Sequence, residues 1–283
     1  MSGSSSLADK AAFAERIKLQ LLARYRGATV ETDSGRFALH VTASGLDTTL
    51  PLSPLQNACL RDPQHAPQLI AEYVSSVERQ LTPHTGIELS MRRVLWCVRS
   101  RSYLSGLARA GDLQTKDVGT TMVAFIAEDL PGSIMRGVPA DEWRQAGISD
   151  SNVADIADQN TALRFDKLLA RIATIERVPA DGWRMAGDPL YQGSVLVLGR
   201  VLRAFVHAAA GDVLIAAPDR GVVLAVPATQ PNADRFQRRV LREWREAMNP
   251  CSHEVLLTDG TSLTSVSRRR QRGGALVLPW LNE

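Results

Sequence analysis

Six polar side chains, Asp129, Asn160, Asp188, Ser194, Asp219 and Arg220, stand in or beside otherwise apolar segments, where they could build the floor of a pocket. If Asp129, Asn160, Ser194 and Arg220 converged in a concave site, they would suit a small-molecule-binding or hydrolytic enzyme. The same residue types cap helices and shape turns by bonding nearby backbone groups, and that duty is the first expectation for them. A second set is cationic. The segment Pro231–Met248 carries Arg235, Arg238, Arg239, Arg242 and Arg245 on one helical face, relieved by Glu243 and Glu246. Guanidinium groups bind phosphate and carboxylate well, which makes Arg235, Arg238, Arg239 and Arg242 candidate anion ligands. A solvated face is the competing reading. Phe236 and Trp244 fall on the apolar stripe of that helix, so no aromatic side chain is left among the arginines to stack on bases.

Other chemistry is hard to place. The chain has no G-x-x-x-x-G-K-[ST] or G-x-G-x-x-G phosphate cradle, no H-E-x-x-H and no G-x-S-x-G elbow. His40, His65, His84, His207 and His253 are scattered without ligand spacing, and His207 falls late in a helix, where an imidazolium complements the dipole. His253-Glu254 suggests acid–base work only weakly, because an exposed pair leading into a strand accounts for it. Cys59, Cys97 and Cys251 are odd in number and far apart, which suits free thiols rather than a disulfide framework or a zinc site. No metal and no cofactor is expected.

The elements that must position these residues follow from periodicity. Phe13, Ile17, Leu21, Leu22 and Tyr25 share a helical face. A hairpin is expected from Thr29–Thr32 through Asp33-Ser34-Gly35 to Phe37, Leu39 and Val41, followed by two helices punctuated by Pro51, Pro54, Pro63 and Pro67. Thr82-Pro83-His84-Thr85-Gly86 reads as a linker. Val94–Val98 and Thr121–Ala127 read as strands, with Ser133–Gly137 returning as a hairpin partner. A short helix follows Pro139, then a longer one capped at Ser149-Asp150-Ser151 with Val153, Ile156, Ala157, Leu163 and Leu168 inward. Ile172–Val178 is expected to be a strand and Ser194–Ala209 a helix. Val213–Pro218 and Val222–Pro227 flank the turn Asp219-Arg220-Gly221, and Val255–Leu257 with Leu263–Val266 forms a last hairpin. Tight turns imply antiparallel pairing, hence an α+β protein of two domains with helices packed on antiparallel sheets. Their expected bounds are 1–85, a helix–hairpin–helix domain, and 86–267, a larger one, followed by a basic then apolar tail over 268–283.

Two decapeptides, Val138-Pro139-Ala140-Asp141-Glu142-Trp143-Arg144-Gln145-Ala146-Gly147 and Val178-Pro179-Ala180-Asp181-Gly182-Trp183-Arg184-Met185-Ala186-Gly187, are nearly the same. Their flanks differ and there is no third copy, whereas stacked repeats need three or more units to bury a shared core. A local coincidence or short duplication is expected.

With 283 residues, 45% of them hydrophobic and 22% charged, the chain is long enough for a full core and is neither fibrous nor disordered as a whole. Arg268, Arg269, Arg270 and Arg272 exceed the whole formal excess of +3, so the body is near neutral, which argues against a dedicated nucleic-acid-binding surface. No apolar stretch approaches the ~20 residues of a membrane span. Met1-Ser2-Gly3-Ser4-Ser5-Ser6 lacks the basic and apolar regions of a secretory signal, so a soluble, cytoplasmic protein is expected.

Five ordered blocks carry a family resemblance over roughly residues 50–265: Leu52-Ser53-Pro54-Leu55; Val123–Asp129; Gly147-Ile148-Ser149 with Ala157-Asp158-Gln159-Asn160; Gly187–Ser194; and Val213–Arg220. The chain resembles the YtpQ-like family of bacterial proteins, a domain of unknown function. The arginine matching Arg220 is usually followed there by an acidic residue, and here Gly221 follows instead. The resemblance implies a bacterial protein without an agreed activity. Missing catalytic motifs, hairpin-bearing units and the apolar segment Ala275–Leu281 together lead to a non-enzymatic adaptor or chaperone-like protein whose partner is another protein.

Overall fold

The computed structural model describes residues 9–25, 27–33, 37–43, 46–81, 88–107, 109–130, 134–175, 179 and 181–266. The linker at Thr82–Gly86, the turn tips at Ser34-Gly35 and Pro131-Gly132, and the tail from Arg268 onward lie outside them. The chain divides into two compact units, Met1–Glu88 with Ser102–Gly111, and Leu89–Arg101 with Asp112–Glu283. The fold is mixed helix and sheet, and every strand pairing among the described residues is antiparallel.

In the first unit, Asp9 starts helix α1 (Lys10–Arg24) by accepting bonds from the amides of Ala11 and Ala12. Its face of Phe13, Ala14, Ile17 and Leu21 joins a core with Val30, Leu39 and Val41 from β1 (Thr29–Asp33) and β2 (Ala38–Ala43). A third strand, β3 (Leu46–Pro51), pairs with β2, so the expected hairpin is a three-stranded meander. Its polar centre, Asp47-Thr48-Thr49, hides the strand in the sequence, and pairing rather than propensity makes it. Helices α2 (Ser53–Arg61) and α3 (Ala66–Leu81) close the core through Leu55, Cys59, Ile70, Val74 and Val77.

The second unit has two sheets. In one, β6 (Met122–Leu130) pairs with β4 (Val94–Ser100), β5 (Thr115–Val118) and β7 (Ile134–Gly137). The short, polar strand β5 gave no sequence signal. In the other, five strands run in the order β12-β11-β9-β10-β8, from β12 (Thr264–Ser265), β11 (Leu256–Thr258), β9 (Val213–Asp219) and β10 (Val222–Pro227) to β8 (Trp183–Met185). Leu214, Ala216, Leu224 and Val226 turn to one face of this sheet and meet Ala233, Phe236 and Val240 of a long helix, Gln230–Glu246. On the other face Trp183, opposite Ala225, stacks on Phe205 with ring centroids 5.3 Å apart.

Several expectations are corrected here. Of the expected strand Ile172–Val178, Ile172 and Ala173 belong to a helix, Asp166–Ala173, and residues 176–178 lie outside the described residues; β8 follows downstream. Between Asp150 and Arg164 the helix buries Val153, Ala157 and Thr161, whereas Leu163 is 69% exposed. Ser194–Ala209 is not one helix. Gln192–Val197 winds as tight 3₁₀ turns, Leu198 is extended, and the α-helix begins at Gly199. The first turns are diverted because the amide of Gly193 bonds the Arg220 carbonyl, at 3.0 Å, in place of an upstream helical carbonyl. Met248 lies beyond the last helix and is 38% exposed.

The two decapeptides fold differently. The first gives α4 (Arg101–Ser105) a successor, α5 (Ala140–Gln145), which starts after Pro139 and buries Trp143 completely. The second gives strand β8. Their two differing positions account for this. Glu142 lies in the first turn of α5, where a carboxylate favours the helix dipole. Its counterpart Gly182 has φ +79°, and a Cβ there would come within 2.4 Å of the Ala225 carbonyl oxygen and 2.3 Å of Val226 Cγ1. Gln145 is exposed, while Met185 is buried beside β10. Gly182→Ala is therefore expected to destabilise the protein by about 2–4 kcal/mol, from left-handed backbone strain and overpacking together. Urea unfolding of the variant beside the parent measures it, and an unchanged midpoint would refute the assignment of β8.

Candidate functional site

The sequence-selected polar residues all lie in the second unit. The helices of this unit after α5 are α6 (Asp150–Arg164), α7 (Asp166–Ala173), α8 (Gly199–Ala209) and α9 (Gln230–Glu246). Arg164, in the last turn of α6, donates to Asp129 Oδ2 at 2.7 Å and also to Asp188 Oδ2, and its guanidinium lies 4.4 Å from the centre of the Tyr191 ring. Asp188 is further engaged through Oδ1, which accepts the amides of Leu190 and Tyr191 at 3.0 and 2.9 Å. Gln192 Oε1 accepts the amides of Gly187 and Asp188, closing the loop on itself.

Ser194 and Asn160 tie neighbouring elements to β4. Ser194 is fully buried, and its hydroxyl oxygen accepts the Val98 amide at 3.3 Å. Asn160 donates from Nδ2 to the carbonyls of Met91 and Val94 at 2.8 and 2.7 Å. Beside it, Thr161 accepts the Trp96 amide and donates to the Ala157 carbonyl. Asp219 accepts the amides of Gly221 and Asn249 at 2.7 and 2.9 Å, and Arg220 donates from Nε to the Pro189 carbonyl at 3.1 Å. Gly221 stands where the resemblance led to an acidic residue. A Cβ there would lie 3.1 Å from Pro189 Cα, so a side chain has little room. The structure thus joins Asp129 to Asp188 through Arg164 and brings Arg220 to the same Asp188–Gln192 loop. Asn160 works at the start of β4 and Ser194 at its middle.

The three thiols are free and buried. Burial raises the pKa of each, and pushes Cys251 up to about 12, although nearby arginines oppose it. A thiol kept protonated is a poor nucleophile. Among the described residues no cluster of three or more His, Cys, Asp or Glu is arranged to hold a metal ion. His65 pairs with Asp62 at 2.8 Å, His207 is exposed in the last turn of α8, and His253 stacks on Trp244 at 4.8 Å.

Two further polar groupings stand out among the described residues, one that motif reading missed and one whose role it misjudged. Glu128, fully buried on β6, is met by Arg93 at 2.7 Å, by Arg136 at 2.8 Å and by the Ser90 amide at 3.0 Å; Arg136 also meets Glu142 at 2.7 Å. The only advance sign of it was a charged residue inside an apolar run. The second is Glu254, whose carboxylate accepts the amides and hydroxyls of both Thr120 and Thr121 in the β5–β6 turn. Partial burial opposes its ionisation, but bonds from Ser265, Thr120 and Thr121 outweigh burial and hold its pKa down to about 2. The pair His253-Glu254 is thus a ring stack and a turn clamp.

The arginines of α9 fall into two groups. Arg239 donates to Glu243 and to the Asp181 carbonyl, each at 2.9 Å, whereas Arg235, Arg238, Arg242 and Arg245 are exposed. Among the described residues no helix is long and apolar enough to cross a membrane.

No protein-family model, curated protein or solved structure matches this chain.

Two outcomes follow. Glu128→Gln is expected to destabilise the second unit by about 3 kcal/mol, because it removes a fully buried charge that two guanidiniums face; thermal unfolding checks it. Glu254 has a folded pKa below its ordinary 4.5, so its stabilising contribution is present above that value and is lost as pH falls toward about 2. Glu254→Gln should flatten the acid limb of the stability profile over that window, and an unaltered limb would contradict the clamp.

Proposed function

We propose that this protein is a non-enzymatic adaptor or chaperone-like protein whose partner is another protein, and that its resemblance to the YtpQ-like family reflects kinship. The reading is supported above all by how the candidate polar side chains are used. Ser194 Oγ takes a backbone amide in the interior, Asn160 Nδ2 takes two carbonyls, Asp129 is ion-paired, and the thiols are buried. Groups bound in this way stiffen a scaffold. A nucleophile and its base need instead to face each other across a space for substrate. Arg238, Arg242 and Arg245 of α9 are exposed, and a partner could reach them.

The test is affinity purification of the full chain from native lysate at near-physiological salt, with partner stoichiometry read by mass spectrometry. One stoichiometric protein is expected, and capture should weaken when Leu276–Trp280 is deleted. Ser194→Ala should lower stability by about 1 kcal/mol through the lost bond to the Val98 amide, yet leave capture unchanged. A protein recovered alone, together with a hydrolytic activity that vanishes in Ser194→Ala, would replace the adaptor by an enzyme.

A further inference from the structure

At about 100° per residue, α9 turns Ala233, Phe236 and Val240 onto the five-stranded sheet and carries Arg235, Arg238, Arg242 and Arg245 to its opposite pole. The intervals between these arginines alternate three, four and three residues, so they form one continuous ridge, about 15 Å long at ~1.5 Å per residue. Glu243 does not neutralise it. That carboxylate is turned toward the sheet, where Arg239 meets it at 2.9 Å and Arg184 of β8 at 3.5 Å. Arg238, Arg242 and Arg245 form no ion pair among the described residues.

Like charges three and four residues apart destabilise a helix, and the ridge arginines stand at those spacings, with Asp234 and Glu246 at its edges one turn from Arg238 and Arg242. Repulsion along the ridge is relieved by an anion that spans it. The guanidiniums of Arg238, Arg242 and Arg245 each offer a planar fork that matches a carboxylate in two parallel bonds. We propose that this ridge docks an acidic protein segment whose carboxylates recur at helical spacing. The proposal rests on the adaptor reading and specifies the partner's chemistry.

Nucleic acid fits the ridge less well. Asp234 and Glu246 flank the arginines on the two sides of the same pole and would face the neighbouring phosphates of a strand. No aromatic ring is available there for stacking, because Phe236 is buried and Trp244 stacks on His253. An acidic helix presents a single row of carboxylates and avoids both conflicts.

The experiment uses the full chain and fluorescence anisotropy. The probe is a labelled alanine-based peptide with glutamates at alternating three- and four-residue spacing, and labelled oligothymidylate is the comparator. The peptide is expected to bind with an affinity that falls as salt rises. The triple variant R238A/R242A/R245A should bind it at least about tenfold more weakly. The variant's thermal unfolding should be no lower than the parent's, since all three side chains are exposed and their mutual repulsion is removed. The lysine triple R238K/R242K/R245K, which keeps charge but loses the fork, should fall between them. Absent binding by the parent, equal binding by the alanine triple, or tighter binding of oligothymidylate would each overturn the proposal. If the alanine triple loses the peptide but still captures the stoichiometric cellular partner, the ridge is not that partner's dock and the adaptor reading survives. If the parent binds the peptide through these arginines yet captures no protein, the ridge stands and the adaptor reading falls.

Discussion

A buried carboxylate on a central strand must be matched by cations and donors that reach it without water, and Glu128 imposes that condition here. It sits on β6, the strand to which β4, β5 and β7 are all bonded. Arg93 reaches it from the 3₁₀ turn ahead of β4, and Arg136 reaches it from β7. Arg136 in turn holds Glu142 at the start of α5. One charge therefore sets the entry to β4, the return of β7 and the position of the following helix. An apolar residue in its place would take this counter-charge from Arg93 and leave Arg136 with Glu142 alone.

The same logic governs the rest of the second unit. Arg164 bridges Asp129 and Asp188, Gln192 closes its loop, Ser194 and Thr161 take amides of β4, and Glu254 grips the β5–β6 turn. Hydrogen-bonding groups used this way fix register and loop shape, because each has one geometry that satisfies it. Polarity inside the unit thus serves rigidity, whereas Arg238, Arg242 and Arg245 on α9 stay exposed. The sheet beneath α9 keeps its arginines in a row.

Much of the architecture was legible before any coordinates. Long periodic segments such as Lys10–Arg24, Ala66–Leu81 and Gln230–Glu246 needed only their apolar stripes, and β9 and β10 only their apolar runs around a turn. Less was legible where a neighbour decides the outcome. β3 and β5 are too polar to stand out and exist through pairing, and Gln192–Val197 was diverted from α-helix by the carbonyl of Arg220. The candidate residues were found by type and place, but their partners were not. Arg164, Gln192 and Glu128 drew no notice because nothing local distinguishes a charge aimed inward from one aimed at water.

The paired decapeptides show where the division falls. By itself the sequence determined the α+β class, the antiparallel pairing and the apolar faces, since periodicity and turn chemistry act over a few residues. It also determined that Gly182 can take a left-handed backbone that Glu142 would resist. Only the tertiary structure decided that Trp143 is buried beneath a helix and Trp183 in an edge strand, and that polar residues far apart in the chain close on one another. Those choices depend on which surface lies opposite, and long-range pairing and burial act between segments that local sequence cannot connect.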